Sequence, residues 1–545
     1  MIPGAWDDEG KAVVEILDAE GSLVDRYETF DAAVAAVESG QTIKLVKNTT
    51  VAGKLNIDVA VELDLNGCTL TGTNTVYSFG FKGDGMSRVF DSSADKSGKI
   101  VNAASRALVI DGPGVEVVLD DVTIEAGLYV AQVSNAAQVT LRGGTYTGGD
   151  SAFAMYGTQN ETDKDKPTMI IVEDDAVLTG GASYAVSSNG NAKYLGPVNI
   201  YVNGGELISK GVDGGAVYMP THGEFVMTDG YLEGAQGVQI CDGATVKIFG
   251  GAIKATNSNT IDNPSKQGDG IVEDGAALSI VSRGGGYGVA GSATVEITGG
   301  TFEAAANPAI REYGFGDIAG SLVRDMSISG NAVVTNLKSG APAVELALLE
   351  GDAAKVISGG TYSAPLDESY LAEGFGPNTL PGGGYGVHEH KWADEVQFDE
   401  SGHWKTCTLC DETTAVAPHE LSAEWATDAE SHWHACSGCG YTAEKAAHQF
   451  GDWTVTKEAT ATEAGSREHA CATCGLTVSE VIPALGGGAD QGSSDQQKPG
   501  SDQEKPALAL TGDSLTAPVT LAGVAIAAAA VALVAFALRR RQSVK

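Results

Sequence analysis

The chain has 545 residues and a formal net charge of −37. This length allows two to four domains, or one elongated repeat domain. The negative charge excludes nucleic-acid binding, which needs clustered Lys and Arg, and favours a soluble, self-repelling surface. The 72 glycines occur largely as doublets among β-branched residues in the first 390 positions, which excludes collagen and intrinsic disorder there.

Residues 1–40 predict an N-terminal cap. Residues 13–27 read as a hairpin, and residues 29–40 predict a short helix with Thr29 or Asp31 near its N-cap and Gly40 past its end. A cap is expected because an open strand edge at the end of a stack invites aggregation. Residues 1–30 show no signal peptide, and we expect an export signal in an N-terminal segment that this sequence lacks.

Residues 41–385 contain repeated glycine-marked strand pairs. Clear copies are VTLRGGTYTG (139–148), VKIFGGAIKA (246–255) and VEITGGTFEA (295–304). Each reads as a short alternating strand, a glycine turn and a second strand. Units of this size bury an apolar face only against the next copy. We therefore predict an all-β parallel β-helix solenoid of roughly eleven coils, with the Gly-Gly doublets in turns of positive φ.

The order of a short helix, TIKLV (42–46) and VELDLNGCTLTG (61–72) resembles right-handed parallel β-helix surface proteins of the pectate-lyase-like superfamily. The resemblance covers about residues 25–380. Some relatives are polysaccharide lyases or hydrolases, so catalytic residues must be sought. The segments that most resemble the motifs of polygalacturonase-like enzymes are residues 56–58, 120–121 and 221–223. They lie about 64 and 101 residues apart. Strings separated by several coils cannot form one site.

A lyase-like calcium site is a second candidate in residues 41–385, which we call the coil domain. Its carboxylates would come from two Asp pairs with Arg142 between them, namely Asp120, Asp121, Asp174 and Asp175. Paired Asp at a turn more often caps local backbone, which is the interpretation we adopt. No outward aromatic row is predicted, because core ladders account for Tyr184, Tyr194, Tyr201 and Tyr218 as well as sugar stacking does. We predict a non-enzyme, with a wall-tethered polysaccharide lyase or hydrolase as the alternative.

A dense His and Cys block follows at residues 386–485. Eight of nine His and six of eight Cys lie between residues 388 and 474, with leading histidines 29 residues apart and three Cys-x-x-Cys pairs. Two His and two Cys form a closed tetrahedral zinc site. We predict three structural Zn²⁺ sites, formed by His390, His403, Cys407 and Cys410, by His419, His432, Cys436 and Cys439, and by His448, His469, Cys471 and Cys474.

Three alternatives for this block remain open. The closing histidine of each unit could complete its site, with His419 in place of His390; the Cys pairs could form disulfides; or neither chemistry applies. Zinc accounts for the histidine spacing, and a metal supplies stability to units too small for a core. The block resembles tandem zinc-ribbon-like repeats that precede anchors in gut bacterial surface proteins, although Ala461 stands where those repeats often carry Cys.

The C-terminal segments predict attachment to a cell surface. Residues 486–507 are a polar, flexible linker. Residues 518–538 are uncharged and long enough to cross a bilayer as a helix. Arg539, Arg540 and Arg541 follow, and they predict a cytoplasmic tail. A tail-anchored cytosolic protein of opposite topology is the alternative.

The pentapeptide ahead of the span resembles the sortase sorting signal LPxTG. It comprises Leu508, Ala509, Leu510, Thr511 and Gly512 within residues 508–545, with Ala509 in place of the usual Pro. The resemblance implies cleavage between Thr511 and Gly512 and attachment to peptidoglycan, so sortase, peptidoglycan and, before sorting, the membrane are the expected partners. We expect a cell-wall-anchored surface protein of a Gram-positive bacterium. We expect it to function as an adhesin or glycan-binding stalk, with host or dietary glycans or host surface proteins as its partners.

Overall fold

The computed structural model describes residues 10–266, 271–283, 292–315 and 320–486. The chain divides into two units, Met1–Ala447 and His448–Lys545, and each is described by itself. The fold is all-β, with 50% strand and 3% helix, which confirms the predicted class. The five segment boundaries proposed from the sequence stay predictions.

The first elements are a hairpin and a short helix, as the sequence predicts. Val14–Leu17 pairs antiparallel with Leu23–Tyr27. The helix Phe30–Ala36 begins after Thr29, whose side chain accepts a hydrogen bond from the Ala32 N–H. Thr29 rather than Asp31 is therefore the N-cap. The helix ends before residue 40 because the backbone at Val37 is already extended.

Two long sheets, built mainly from parallel strands, contain most of the described strands. We call them the large sheet and the eleven-stranded sheet. The described strands of the large sheet are Val14–Leu17, Leu23–Tyr27, Thr42–Leu45, Thr49–Val51, Glu62–Asp64, Thr69–Gly72, Gly85–Phe90, Lys99–Asn102, Val115–Asp120, Thr123–Ala126, Gln138–Arg142, Thr145–Gly148, Thr168–Glu173, Val177–Gly180, Val198–Ser209, Gly223–Gly234, Ala244–Ile248, Ala252–Ala255, Ala293–Ile297, Thr301–Ala304, Val323–Ile328, Val333–Asn336, Thr361–Tyr362, Phe375–Thr379 and Tyr385–Glu389.

The eleven-stranded sheet takes one strand from each successive turn of the chain. Its described strands are Leu55–Ile57, Tyr77–Phe81, Arg106–Asp111, Tyr129–Ser134, Ser151–Tyr156, Val186–Ser188, Gly215–Met219, Gln236–Ile240, Leu278–Arg283, Ile310–Phe315 and Val344–Leu346.

Short elements complete the described secondary structure. The small antiparallel sheets are formed by Ser265–Lys266 with Val272–Glu273, by Trp392–Phe398 with His403–Cys407, by Ala426–Thr427, Ser431–Ala435 and Thr442–Ala447, and by Thr454–Lys457, Gly465–Ala470 and Thr477–Ile482. Two 3₁₀ helices span Gly351–Ala354 and Glu368–Tyr370.

The parallel strands stack their inward side chains into continuous ladders. One ladder of the large sheet joins residues in direct parallel register, all at most 1% exposed: Ile124, Tyr146, Leu178, Leu207, Leu232, Ile253, Phe302, Val334 and Tyr362. Each side chain is covered by its neighbours one turn before and after. This arrangement is consistent with a β-helix-like solenoid and accounts for the repeating sequence.

The glycine doublets serve two physical needs. In Gly250-Gly251 only the second residue has a positive φ, of 79°. A Cβ on Gly250 would lie 2.4 Å from the carbonyl oxygen of Thr228 in the preceding turn of the chain. The first glycine is therefore required by close stacking and the second by backbone conformation, so the prediction of positive φ holds for only one of these two residues.

A buried polar network lies beside the eleven-stranded sheet. Asp274 is 0% exposed; its carboxylate accepts hydrogen bonds from the Tyr313 hydroxyl at 3.1 Å and the Ala276 N–H at 3.0 Å. Burial raises the pKa of Asp274 to about 6, although these bonds and the Arg311 charge act in the opposite direction. No sequence pattern singled out this residue, because its partners lie up to 39 residues away.

Asp274→Asn is expected to change how stability depends on pH. A carboxyl group whose pKa is higher in the folded state than in the unfolded state stabilises the fold most below about pH 4. This stabilisation is lost as the pH rises through about 6. The free energy of unfolding of the variant, relative to that of the unmodified chain, should therefore rise by about 2 kcal/mol between pH 4 and pH 7. Urea unfolding across this range measures the difference, with exposed Asp325→Asn as control. A difference that does not vary with pH would contradict the expectation.

The sorting pentapeptide and the apolar span fall outside the described residues, which end at residue 486. Within the described ranges, no helix is both long and apolar enough to span a membrane. The predicted transmembrane helix at 518–538 therefore stays a prediction.

Candidate metal centres

The first candidate centre joins a strand of the large sheet to the hairpin that follows it. His388 lies in the strand Tyr385–Glu389, and the hairpin formed by Trp392–Phe398 and His403–Cys407 carries Cys407. The ligand atoms of His388, His390, Cys407 and Cys410 all lie within 4.8 Å of one another. Cys407 is buried and the other three are half-buried, so the group is shielded but close to the surface.

The second candidate centre repeats the pattern one unit later. It consists of His403, His419, Cys436 and Cys439, again within 4.8 Å of one another. Cys436 follows the strand Ser431–Ala435, and His403 comes from the hairpin of the preceding unit. Each of these two groups therefore takes its first histidine from the module before it. A bound ion would cross-link successive modules.

The second structural unit contains a third set of ligands. His448, Cys471 and Cys474 have ligand atoms within 4.8 Å of one another. Cys471 follows the strand Gly465–Ala470. The ring nitrogen Nδ1 of His448 lies 3.5 Å from Sγ of Cys474. The same His-to-second-Cys contact occurs in all three sets.

The distances between donor atoms fit a tetrahedral metal site. Nδ1 of His390 lies 3.6 Å from Sγ of Cys410, and Nδ1 of His419 lies 3.4 Å from Sγ of Cys439. Zinc bonds of about 2.3 Å to sulfur and about 2.05 Å to nitrogen, at tetrahedral angles, give a nitrogen–sulfur edge of about 3.5 Å. The side chains thus have the spacing that an ion of this kind requires.

A hydrogen bond fixes the orientation of one ligand. Nε2 of His419 donates to the carbonyl oxygen of Asp399 at 2.7 Å. Nε2 therefore carries a proton, and in the neutral ring Nδ1, which faces Cys439, has its lone pair available for a metal. Such an outer partner for a metal-binding histidine sets its tautomer and its ring orientation.

The first cysteine of each pair is disposed to ionise. Burial acts to raise the pKa of Cys407, but the Leu409 N–H and the rings of His390 and His388 lower it, to about 5. In the second unit, the backbone N–H of Cys474 and the ring of His448 lower the pKa of Cys471 to about 5. Thiolate is the form that binds metal. All eight cysteines, each a described residue, are free in this structure.

The structure corrects the predicted grouping of ligands. His403 was assigned to the site of His390, Cys407 and Cys410, but it lies in the next group, and His388 takes its place. The reason is strand geometry: His403 and Cys407 are the two ends of one strand, and residues four apart in a strand are about 13 Å apart. Ligands of one ion cannot be so distant.

The same geometry separates His432 from Cys436. His432 is 3% exposed and packs edge-on against Trp425, with ring centroids 4.7 Å apart, and the group of His419, Cys436 and Cys439 does not include it. His469, predicted as a ligand of the third site, stacks instead on Trp453 at 3.8 Å and on Phe450 at 4.4 Å.

His388 is the ligand that sequence analysis missed. Its signal was present, because it stands two residues before His390 in the string HEHKW. The spacing of 16 residues from His403 to His419 is a separate signal, and it belongs to the second group. In the third repeat, Arg467 occupies the position four residues before the Cys pair that His403 and His432 occupy in the first two.

The Asp pairs of the coil domain have other roles. Asp120 accepts hydrogen bonds from Arg88, and Asp121 and Asp174 adopt positive φ values of 51° and 54°. Within the described residues, none of these belongs to a candidate metal group. The left-handed backbone supports the interpretation as turn residues.

No protein-family model, curated protein or solved structure matches the chain. The functional argument therefore rests on the fold, on the geometry of the His/Cys groups and on the order of segments in the sequence.

Proposed function

We propose that this protein is a wall-anchored adhesin or glycan-binding protein. Its parallel β-sheet domain would be displayed on a spacer that bound metal ions stabilise. The observation that carries the proposal is the order of parts along the chain. Parallel sheets come first, the His/Cys groups follow between residues 388 and 474, and the sorting pentapeptide and apolar span come last. A displayed domain, a spacer and an attachment signal in this order suit presentation at a cell surface.

Zinc is the ion that we propose for the His/Cys groups. Two thiolates and two imidazoles are the donors of structural zinc sites. In the first two groups all four positions of a tetrahedron are supplied by the protein, which leaves none for water or substrate. The role is therefore structural, and the ion would hold one module against the next.

A right-handed parallel β-helix with an N-terminal cap is the architecture that we propose. Parallel strands joined by crossovers are right-handed in nearly all proteins. The helix Phe30–Ala36 supports the cap, because Phe30 is fully buried and its ring centroid lies 5.9 Å from that of Phe79 in an early turn. The cap thus contributes to the same core as the coils.

Substituting Thr511 tests the anchor. In a sortase-expressing Gram-positive host, with an export signal added, the chain is expected to become covalently bound to peptidoglycan and to be released by muramidase. Thr511→Ala should abolish this attachment, because the sortase reaction that the motif implies joins the Thr carbonyl to the wall. Thr516→Ala, five residues later, is the matched control. Wall attachment that survives Thr511→Ala would overturn the proposal.

An assay of the purified chain tests the alternative function, that of a wall-tethered polysaccharide lyase or hydrolase. Incubation with uronate polysaccharides, followed by absorbance of unsaturated products, is expected to give no turnover. Reproducible, Ca²⁺-dependent product release would replace the binding function with a lyase activity.

A further inference from the structure

A cleft opens on the outward face of the eleven-stranded sheet. Phe153, Val186 and Val217 stand in parallel register and are fully buried in the main core. Successive residues of a strand point to opposite faces, so the next residues, Ala154, Ser187 and Tyr218, point outward. All three of these outward residues line a cavity of about 200 Å³.

Tyrosine rings form much of the wall of this cleft. Tyr129 and Tyr156 line it and are half-buried. Tyr184 and Tyr218, also lining residues, stack with ring centroids 5.1 Å apart and planes 18° from parallel. These last two are 5% and 3% exposed and belong to a second buried apolar cluster, so the rings most open to a ligand are those of Tyr129 and Tyr156.

Polar groups lie among the rings. Asp150, Ser183, Ser187 and Asn189 line the cleft. Asp150 accepts a hydrogen bond from the Ser183 hydroxyl at 2.7 Å, which fixes its position and leaves other lone pairs available. Aromatic faces for C–H groups, with fixed hydrogen-bonding groups for hydroxyls, are the combination that a sugar ring requires.

We infer that this cleft binds one ring of a neutral oligosaccharide. The volume of about 200 Å³ is below the 300–1,000 Å³ typical of pockets for drug-sized ligands, so a single ring of a longer chain fits. Asp150 is the one charged residue that lines the cleft, and the chain carries a net charge of −37. Both act against an anionic uronate, and they oppose the nearby guanidinium of Arg106, which lies over a lining ring at 5.4 Å from the Tyr129 centroid. The inference rests on the proposed binding function and assigns its site and ligand class.

Binding to defined sugars tests the inference. The purified full chain is titrated with cellohexaose, xylohexaose, mannohexaose, maltohexaose and trigalacturonate, and binding is followed by calorimetry. At least one neutral hexaose is expected to bind, and trigalacturonate is not. Tyr129→Ala should raise the Kd of the neutral ligand about fivefold by removing one stacking face. Tyr129→Phe, which keeps the ring, should retain most of the affinity.

Tyr201→Ala is the matched control, because Tyr201 lies on the large sheet and bonds to Glu224. Circular dichroism checks that each variant is folded. An unchanged Kd in folded Tyr129→Ala would overturn the site, and preferential binding of trigalacturonate would overturn the ligand class. The absence of binding to every sugar, with wall attachment through Thr511 intact, would refute this inference alone. Failed attachment with sugar binding intact would refute only the anchor.

Discussion

Chelation is expected to release about three zinc ions per chain and to unfold residues 387–486 while the parallel sheets stay folded. Residues 387–486 are all described, and apart from glycines their buried side chains are Cys407, Cys436, Cys471 and His432. No leucine, isoleucine, valine or phenylalanine in this stretch is buried. Since a hydrophobic core is lacking, ligand binding supplies the free energy that keeps such modules folded.

Elemental analysis counts the released zinc, and hydrogen exchange by mass spectrometry shows which residues lose protection. Peptides from residues 387–486 should exchange fast after chelation, whereas peptides from the ladder of the large sheet should stay protected. Protection of residues 387–486 that survives complete metal removal would contradict the structural role of the ions.

Two histidine substitutions separate the observed grouping from the one predicted from sequence. His388→Ala removes a member of the first group, so one of the three zinc ions should become available to a competing chromogenic chelator. His469→Ala removes a ring that stacks on Trp453, and all three ions should stay bound. The predicted grouping gives the opposite result for both variants, so retention by His388→Ala together with loss from His469→Ala would restore it.

The ligand types could be predicted from the sequence, but their assignment to sites could not. Cys-x-x-Cys pairs are local, because a single turn brings Cys407 and Cys410 together. The histidines are not local, because His403 joins a group whose other members lie 16 to 36 residues ahead. Because His403–Cys407 is an extended strand, its two end residues are too far apart to bind the same ion, and the sequence pattern alone does not identify this strand.

The coil domain shows a similar division. Inward ladders could be predicted, because alternation and glycine doublets are local patterns that repeat. The tyrosine cleft could not be predicted, because Tyr184 and Tyr218 become neighbours only when successive turns of the chain stack. The outer face also carries no repeat in the sequence, since side chains there are not required to match their neighbours as core residues are.

Phe302→Ala is expected to be among the most destabilising single substitutions in the coil domain. Phe302 is 0% exposed and stands in register between Ile253 and Val334. Truncation would leave a cavity in the middle of a ladder, and buried Phe→Ala changes cost about 3–5 kcal/mol. In a solenoid each turn contacts only its neighbours, so the loss should be greatest in the adjoining turns.

Hydrogen exchange resolved by peptide measures this local effect, because a repeat protein need not unfold in one step. Phe249→Ala is the matched control: Phe249 is 43% exposed, and its truncation should cost less than about 0.5 kcal/mol. Faster exchange in residues 293–336 for Phe302→Ala alone would show that the ladder carries stability from turn to turn. Equal effects of the two substitutions would show that stacking of inward side chains does not hold the coils together, and the solenoid proposal would then lose its physical basis.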